Sequence, residues 1–176
     1  MRSTCLIQVQ RRVSIWNLSG LTSFRRLKST RTAFIALGSN DGNTIGNIET
    51  ACKELDKAGL QVMRTSHLYE TEPMYYHDQA KFINGACEVE VQDNLAPLDL
   101  LARIKQIEES LGREKIIEKG PRNIDLDILL YENQTWESDT LSIPHRSMLE
   151  REFVLRPLCE CVLRCSISTP MLMISV

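Results

Sequence analysis

Residues 120–131 read GPRNIDLDILLY. Glycine and proline open a turn, and from Ile124 apolar side chains alternate with two aspartates. Side chains two apart on a strand share a face. Ile124, Leu126 and Ile128 therefore point into a core, while Asp125 and Asp127 stand side by side on the other surface. One reading of Asp-Leu-Asp is the wet face of an antiparallel strand. The other is a cation site. Asp is a poor strand residue, and two adjacent carboxylates repel unless a cation sits between them.

Upstream, Pro97 opens a helix that runs to Leu111 with an apolar stripe of Leu98, Leu101, Ile104, Ile107 and Leu111, and Gly112 ends it. Before it, residues 82–91 alternate as a strand, with Gly85 suggesting a bulge. Residues 70–81 form a polar loop, and residues 60–69 form another strand. At the start of this body, residues 33–37 (AFIAL) read as a buried strand that closes into the turn-rich run 38–43. Asn43 or Thr44 caps a helix through Ala58, with Ile45, Ile48, Cys52 and Leu55 on its apolar side and Gly59 as its stop. Downstream, Asn133-Gln134 turns into a short strand, residues 142–144 follow, and a short helical segment lies near 146–151. The order predicts an α+β domain, a ferredoxin-like βαββαβ unit with an extra C-terminal hairpin and short helix.

A chain of 176 residues, 43% hydrophobic and 25% charged, is long enough for one domain with a real core. No apolar run approaches the roughly 20 residues of a membrane-spanning helix, so no membrane partner is expected. Charge is unevenly spread. Residues 1–30 hold six of the 21 Lys and Arg and none of the 23 Asp and Glu, so the remainder carries 15 basic against 23 acidic side chains. An acidic body argues against nucleic acid as partner. The head is Ser/Thr-rich, with Leu6, Val9, Val13 and Trp16 at helical spacing. That profile predicts a mitochondrial transit peptide over residues 1–30, the alternative being a disordered extension of a cytoplasmic protein. Residues 31–160 form the expected domain and 161–176 an atypical tail.

Six cysteines occur, with no C-x-x-C pair. Cys52 and Cys87 sit in apolar patterns and read as reduced core residues. Cys159, Cys161 and Cys165 crowd near the end without a histidine and read as tail residues rather than a metal site.

Paired carboxylates on a strand suit magnesium, a hard cation that keeps waters and takes other ligands from phosphates. Arg113, Arg122 and Arg151 lie in or beside loops, where each could fork onto phosphate oxygens or remain a surface charge. His145 follows Pro144 and is either aimed at a ligand or polar surface. The chain has no Walker A sequence and no kinase signature. An ATP-handling site would therefore be built from arginines and metal.

The stretches Ala36-Leu37-Gly38-Ser39-Asn40, Leu68-Tyr69-Glu70-Thr71-Glu72-Pro73 and Phe82-Ile83-Asn84 recur in a known family. So do Glu108 with Leu111-Gly112-Arg113, residues 120–129, Ile143-Pro144-His145, and Arg151 followed by Phe153-Val154-Leu155 and Pro157-Leu158. In this order they resemble the 6-hydroxymethyl-7,8-dihydropterin pyrophosphokinases over residues 33–158, in a fungal- or plant-like form often fused to dihydropteroate synthase. The resemblance implies that Asp125 and Asp127 bind two magnesium ions bridging the phosphates of ATP, the co-substrate. It implies that Arg113 and Arg122 assist transfer, and that Glu108, His145 and Arg151 lie at the nucleotide. The hydroxymethyl-dihydropterin would sit between Phe82 and Phe153, with Asn84 and the backbone around Thr71 and Met74 reading its polar edge. The implied activity moves pyrophosphate from ATP to that pterin in folate biosynthesis, with residues 70–81 and 113–121 closing over the substrates. Lys119 stands where some bacterial members carry an aromatic residue, Phe82 replaces a tyrosine, and residues 161–176 match no family pattern. Two alternatives differ in class: a non-catalytic nucleotide- or pterin-binding module, and an Asp-x-Asp nuclease or glycosyl transferase.

Overall fold

The structure is a computed structural model describing residues 29–74, 77–113, 120–163 and the backbone of 173–175. Residues 1–28 of the expected transit peptide (1–30), residues 114–119 of the closing segment (113–121), Lys119 among them, and Cys165 lie outside the described residues.

The first strand, β1 (Thr30–Ser39), is longer at both ends than the AFIAL run suggested, and takes in Gly38 and Ser39. Helix α1 (Thr44–Lys57) follows, with Asn43 Oδ1 accepting from Gly46 N at 3.2 Å. Its inward stripe is Ile48, Ala51 and Leu55, whereas Ile45 at the first turn is exposed. Gly59 at φ +78° then turns the chain, a conformation that favours glycine.

The strand expected over 60–69 is two strands, β2 (Gln61–Thr65) and β3 (Leu68–Thr71), broken at Ser66-His67. Ser66 uses both its amide and its hydroxyl on Ala86, which holds the break against the next strand, β4 (Phe82–Gln92). Gly85 carries no bulge, since it pairs in register with Leu37. Its role is close approach: a Cβ there would meet Leu68 Cδ2 at 3.0 Å. Helix α2 (Pro97–Ser110) starts on the predicted proline, but Leu98 is exposed and Leu100 is buried in its place.

Strand β5 (Asp125–Tyr131) is followed by the hairpin β6 (Trp136–Glu137) and β7 (Ser142–Ile143). The helical segment near 146–151 is one 3-10 turn, Met148–Glu150. It leads into α3 (Glu152–Leu163), which sequence periodicity did not reveal because Pro157, a helix breaker by habit, lies inside it. A last strand, β8 (Met173–Ser175), runs parallel to β3.

The main sheet has the order β5-β1-β4-β3-β8, with β2 also on β4. The pairs β1–β4, β1–β5, β2–β4 and β3–β4 are antiparallel. Alternation divides the strands cleanly. Ala33, Ile35, Leu37, Cys87, Val89, Leu126 and Ile128 join α1 and α2 in the larger core. Burying each large side chain there contributes roughly 1.5–3 kcal/mol. Phe34, Ala36 and Leu129 meet Phe153, Val154 and Leu158 of α3 in a smaller cluster on the opposite face. The β1–β5 register shifts between Phe34 and Ile35, and this extra residue lets Leu129 join the α3 face while Ile128 stays with α2. Because α3 covers only part of that face, the rest of the sheet floor is left to form a site.

Candidate active site

On the α3 face, Asp125 and Asp127 emerge from β5 opposite Gly38 and Ala36 of β1, as the alternation predicted. They line a cavity of about 290 Å³. Gly38 is what lets this floor close up. Asn84 Oδ1 would lie 3.2 Å and Asp125 Cβ 3.7 Å from a Cβ at that position, so the amide and the carboxylate flank a bare backbone.

Asp125 is shared by two guanidinium groups. Arg113 Nη2 lies 2.7 Å from its Oδ1 and Arg122 Nη1 lies 2.9 Å from its Oδ2. Asp127 makes no ion pair with a described residue. Burial pushes its carboxyl above the usual carboxylate range, and the charge of Asp125 adds to this, while Lys105 and His145 pull the other way. For Arg113, burial acts to lower the proton affinity, but the carboxylates of Asp125, Glu108 and Asp127 outweigh it and hold the guanidinium above its ordinary value.

Glu108 reaches the site through Arg113 rather than by facing the cavity. At 2% exposure its carboxylate accepts from Leu126 N at 2.7 Å and from Lys105 Nζ at 2.8 Å, and it pairs with Arg113 Nη1. A buried carboxylate is costly unless its oxygens are matched in this way. It fastens the end of α2 to the start of β5 and aims Arg113 at Asp125.

The cavity's other wall is aromatic and polar. Phe82 opens β4, Phe153 stands on α3, and both line the space. Arg122 packs over Phe82, its guanidinium carbon 5.3 Å from the ring centroid. Asn84 Nδ2 donates to Thr71 Oγ1 at 2.7 Å, and Thr71, Met74 and Arg151 complete the lining among the predicted residues. His145 is not part of this lining. Its amide donates to Leu129 O at 3.0 Å and its Nδ1 accepts from Ser147 N at 3.3 Å, so β5 positions it near Asp127. Sequence reasoning singled out neither Gly38 nor Gln79, which also line the cavity. A glycine inside an apolar strand was the available signal for the first, whereas the second had none.

The described cysteines stay apart from this site. Cys87 is buried, Cys52 is half-buried, and Cys161 donates to Ala86 O while burial pushes its thiol up to about 12. Cys159 faces out. Among the described residues no three His, Cys, Asp or Glu side chains gather as a metal cluster. No helix of the described residues is long and apolar enough to cross a membrane.

The model of the family described as 7,8-dihydro-6-hydroxymethylpterin-pyrophosphokinase matches residues 34–163. The chain is 46% identical over 153 residues to the folic acid synthesis protein fol1 of Schizosaccharomyces pombe, covering 86% of this chain and 20% of that one. It is 45% identical over 129 residues to the 2-amino-4-hydroxy-6-hydroxymethyldihydropteridine pyrophosphokinase of Bacillus subtilis, covering 73% and 76%. A crystal structure of Plasmodium falciparum HPPK-DHPS superposes with a TM-score of 0.59 at 19% identity, over 78% of this chain and 43% of that one. The chain thus spans about a fifth of its fission-yeast relative and three quarters of its bacterial one.

Proposed function

The chain belongs to the 7,8-dihydro-6-hydroxymethylpterin-pyrophosphokinase family, and on that premise we propose that it transfers pyrophosphate from ATP to 6-hydroxymethyl-7,8-dihydropterin. The observation that carries this reading is one cavity in which a pair of aromatic rings faces a pair of carboxylates braced by arginines.

A flat heterocycle fits between Phe82 and Phe153, where offset stacking contributes about 0.5–1.5 kcal/mol beyond area burial. Asn84, held by Thr71, offers polar atoms at the edge of that slot. The hydroxymethyl oxygen would then attack the β-phosphorus of ATP as the bond from that phosphorus to the AMP oxygen breaks. AMP leaves, the diphosphate stays on the pterin, and the hydroxyl proton passes to solvent. Arg113, Arg122 and Arg151 bind and orient the phosphates and offset the charge that grows on the leaving oxygen. Glu108 aims Arg113, and His145 stands at the nucleotide end beside Asp127.

The donor set fits magnesium. Asp125 and Asp127 present hard oxygens on one strand face, and a cation would stabilise the ionised Asp127 that burial first, and then the charge of Asp125, disfavour. Two ions held by Asp125 and Asp127 would supply charge neutralisation at the phosphates.

The ferredoxin-like reading of the α+β domain is supported by the central order β5-β1-β4-β3 with antiparallel neighbours. A dihydropteroate synthase is the partner that would take the product. The arginine-rich, acid-free run 1–30 supports a mitochondrial address.

The test is turnover with ATP, magnesium and the pterin, followed by release of AMP. One AMP per pterin diphosphate is expected. Binding of both ligands by folded protein without AMP release would instead make this a non-catalytic binding module.

A further inference from the structure

Two thiols that the transfer chemistry does not use meet between α1 and the sheet. Cys87 lies on β4, paired with Ile35 of β1 on one side and with Thr65 of β2 on the other. It is 0% exposed and belongs to the larger core. Cys52, on α1, packs against that core and is only half-buried. The Cys87 thiol donates a hydrogen bond to the Cys52 sulfur, and this donor lowers the proton affinity of Cys52. Burial and the carboxylates of Asp56 and Glu49 act the other way without prevailing. For Cys87, the bond to Cys52 and then burial hold the proton in place, well above the ordinary thiol range. One sulfur is thus open to solvent and eased toward its thiolate, while the other is closed to every reagent except its neighbour. Cys161 differs, since it lies on α3, across the sheet, with its thiol bonded to Ala86 O.

We propose that Cys52 and Cys87 form a redox modification site, in which a peroxide oxidises Cys52 and Cys87 then closes a reversible disulfide between α1 and β4. The Cys52 thiolate attacks one oxygen of the peroxide and the O–O bond breaks. Cys52 becomes a sulfenic acid, and the other oxygen leaves as an alcohol or water, carrying the proton that Cys52 had released. The Cys87 sulfur next attacks the Cys52 sulfur, the S–O bond breaks, and water leaves with the Cys87 proton. Two thiols lose two hydrogens in all, and one peroxide is reduced. Access fixes the order: a small peroxide reaches the half-buried sulfur, and the buried neighbour resolves it. Exchange with a dithiol restores both thiols. The bridge ties residues 52 and 87 into one covalent loop, which constrains the unfolded chain and stabilises the fold. Neither sulfur lines the substrate cavity, so the bridged protein keeps its site whatever reaction runs there.

Mass spectrometry of the full chain tests this. The reduced protein is treated with hydrogen peroxide, free thiols are alkylated in denaturant, and the chain is digested. The expected product is one peptide pair joined through Cys52 and Cys87, two hydrogens lighter than the reduced pair and separated again by dithiothreitol. The bridged protein should melt at least about 4 °C above the reduced one. Cys159→Ser should leave the bridge unchanged. Cys87→Ala should halt the reaction at the sulfenic acid of Cys52, which dimedone traps. If that variant fails to fold, Cys52→Ser gives the matching contrast, because Cys87 should then stay reduced at peroxide concentrations that bridge the wild type. Oxidation of Cys52 with Cys87 still free to be alkylated would overturn the proposal. So would bridges formed mainly by Cys159, or a Cys52–Cys87 form that melts no higher than the reduced protein.

Discussion

Arg122 Nη1 lies 2.9 Å from Asp125 Oδ2 while the same guanidinium covers the ring of Phe82, so one side chain touches both the acidic and the aromatic halves of the cavity. A lysine reaches one of these partners as a point charge, but cannot fork onto two oxygens or stack flat on a ring. Arg122→Lys should therefore lower kcat by on the order of 10²-fold in a steady-state assay of AMP release. A variant within threefold of wild type would remove Arg122 from the transfer step.

Asp127 is the carboxylate whose charge the fold favours least. Burial and the neighbouring Asp125 raise its proton affinity, so ionising it costs stability as pH rises from the ordinary carboxylate range through its folded value. Asp127→Asn removes that cost. Its Tm at neutral pH should rise, by about 2–4 °C for each kcal/mol recovered, and the gain should vanish at low pH, where the wild-type residue is protonated. Magnesium-dependent binding of an ATP analogue should fall at least about 100-fold, since a hard ligand is lost. Thermal melts against pH, with calorimetry, check both halves. A variant that is less stable and binds normally would contradict both.

These two aspartates were legible because their signal is local: strict alternation over residues 124–128 sets one face against the other. The central strands and both packed helices were legible for the same reason, although their bounds and stripes shifted where Ile45 and Leu98 turned outward. What the sequence concealed depends on distant partners. Gly38 matters because Asn84 and Asp125 approach it from two other strands, and Glu108 matters because its carboxylate ends at Leu126 N. Helix α3 was hidden by Pro157, whose lost amide bond is offset by burial against the sheet.

The edge of β3 is tied to α3 by one carboxylate. Glu160 Oε2 accepts from His67 N at 2.8 Å and meets His67 Nδ1 at 2.9 Å, and Oε1 accepts from Tyr69 OH. Burial acts to raise its proton affinity, but these donors outweigh it and hold the carboxyl below the usual range. A depressed carboxylate contributes stability above its unfolded value and loses it as pH falls through the folded one. Glu160→Gln should cost about 1–3 kcal/mol at pH 7, with the difference from wild type shrinking below about pH 4. Denaturant titrations at several pH values measure it. A cost independent of pH would show that shape, not charge, matters here.

Adding one methyl group at Gly38 tests how tightly the two subsites share their floor. An alanine Cβ would lie 3.2 Å from Asn84 Oδ1, tighter than ordinary contact, but 3.7 Å from Asp125 Cβ, which is not. The strain therefore falls on the amide. Asn84 cannot yield freely, because its Nδ2 is bound to Thr71 Oγ1 at 2.7 Å. Gly38→Ala should weaken pterin binding about tenfold, the cost of one misplaced hydrogen-bonding group, and leave binding of the magnesium–ATP analogue within about threefold. Asn84→Ala in the same background should add little, since the group it removes is already displaced. Equal losses for both ligands would mean that the methyl group disturbs Asp125 as well and that the two halves of the floor respond as one.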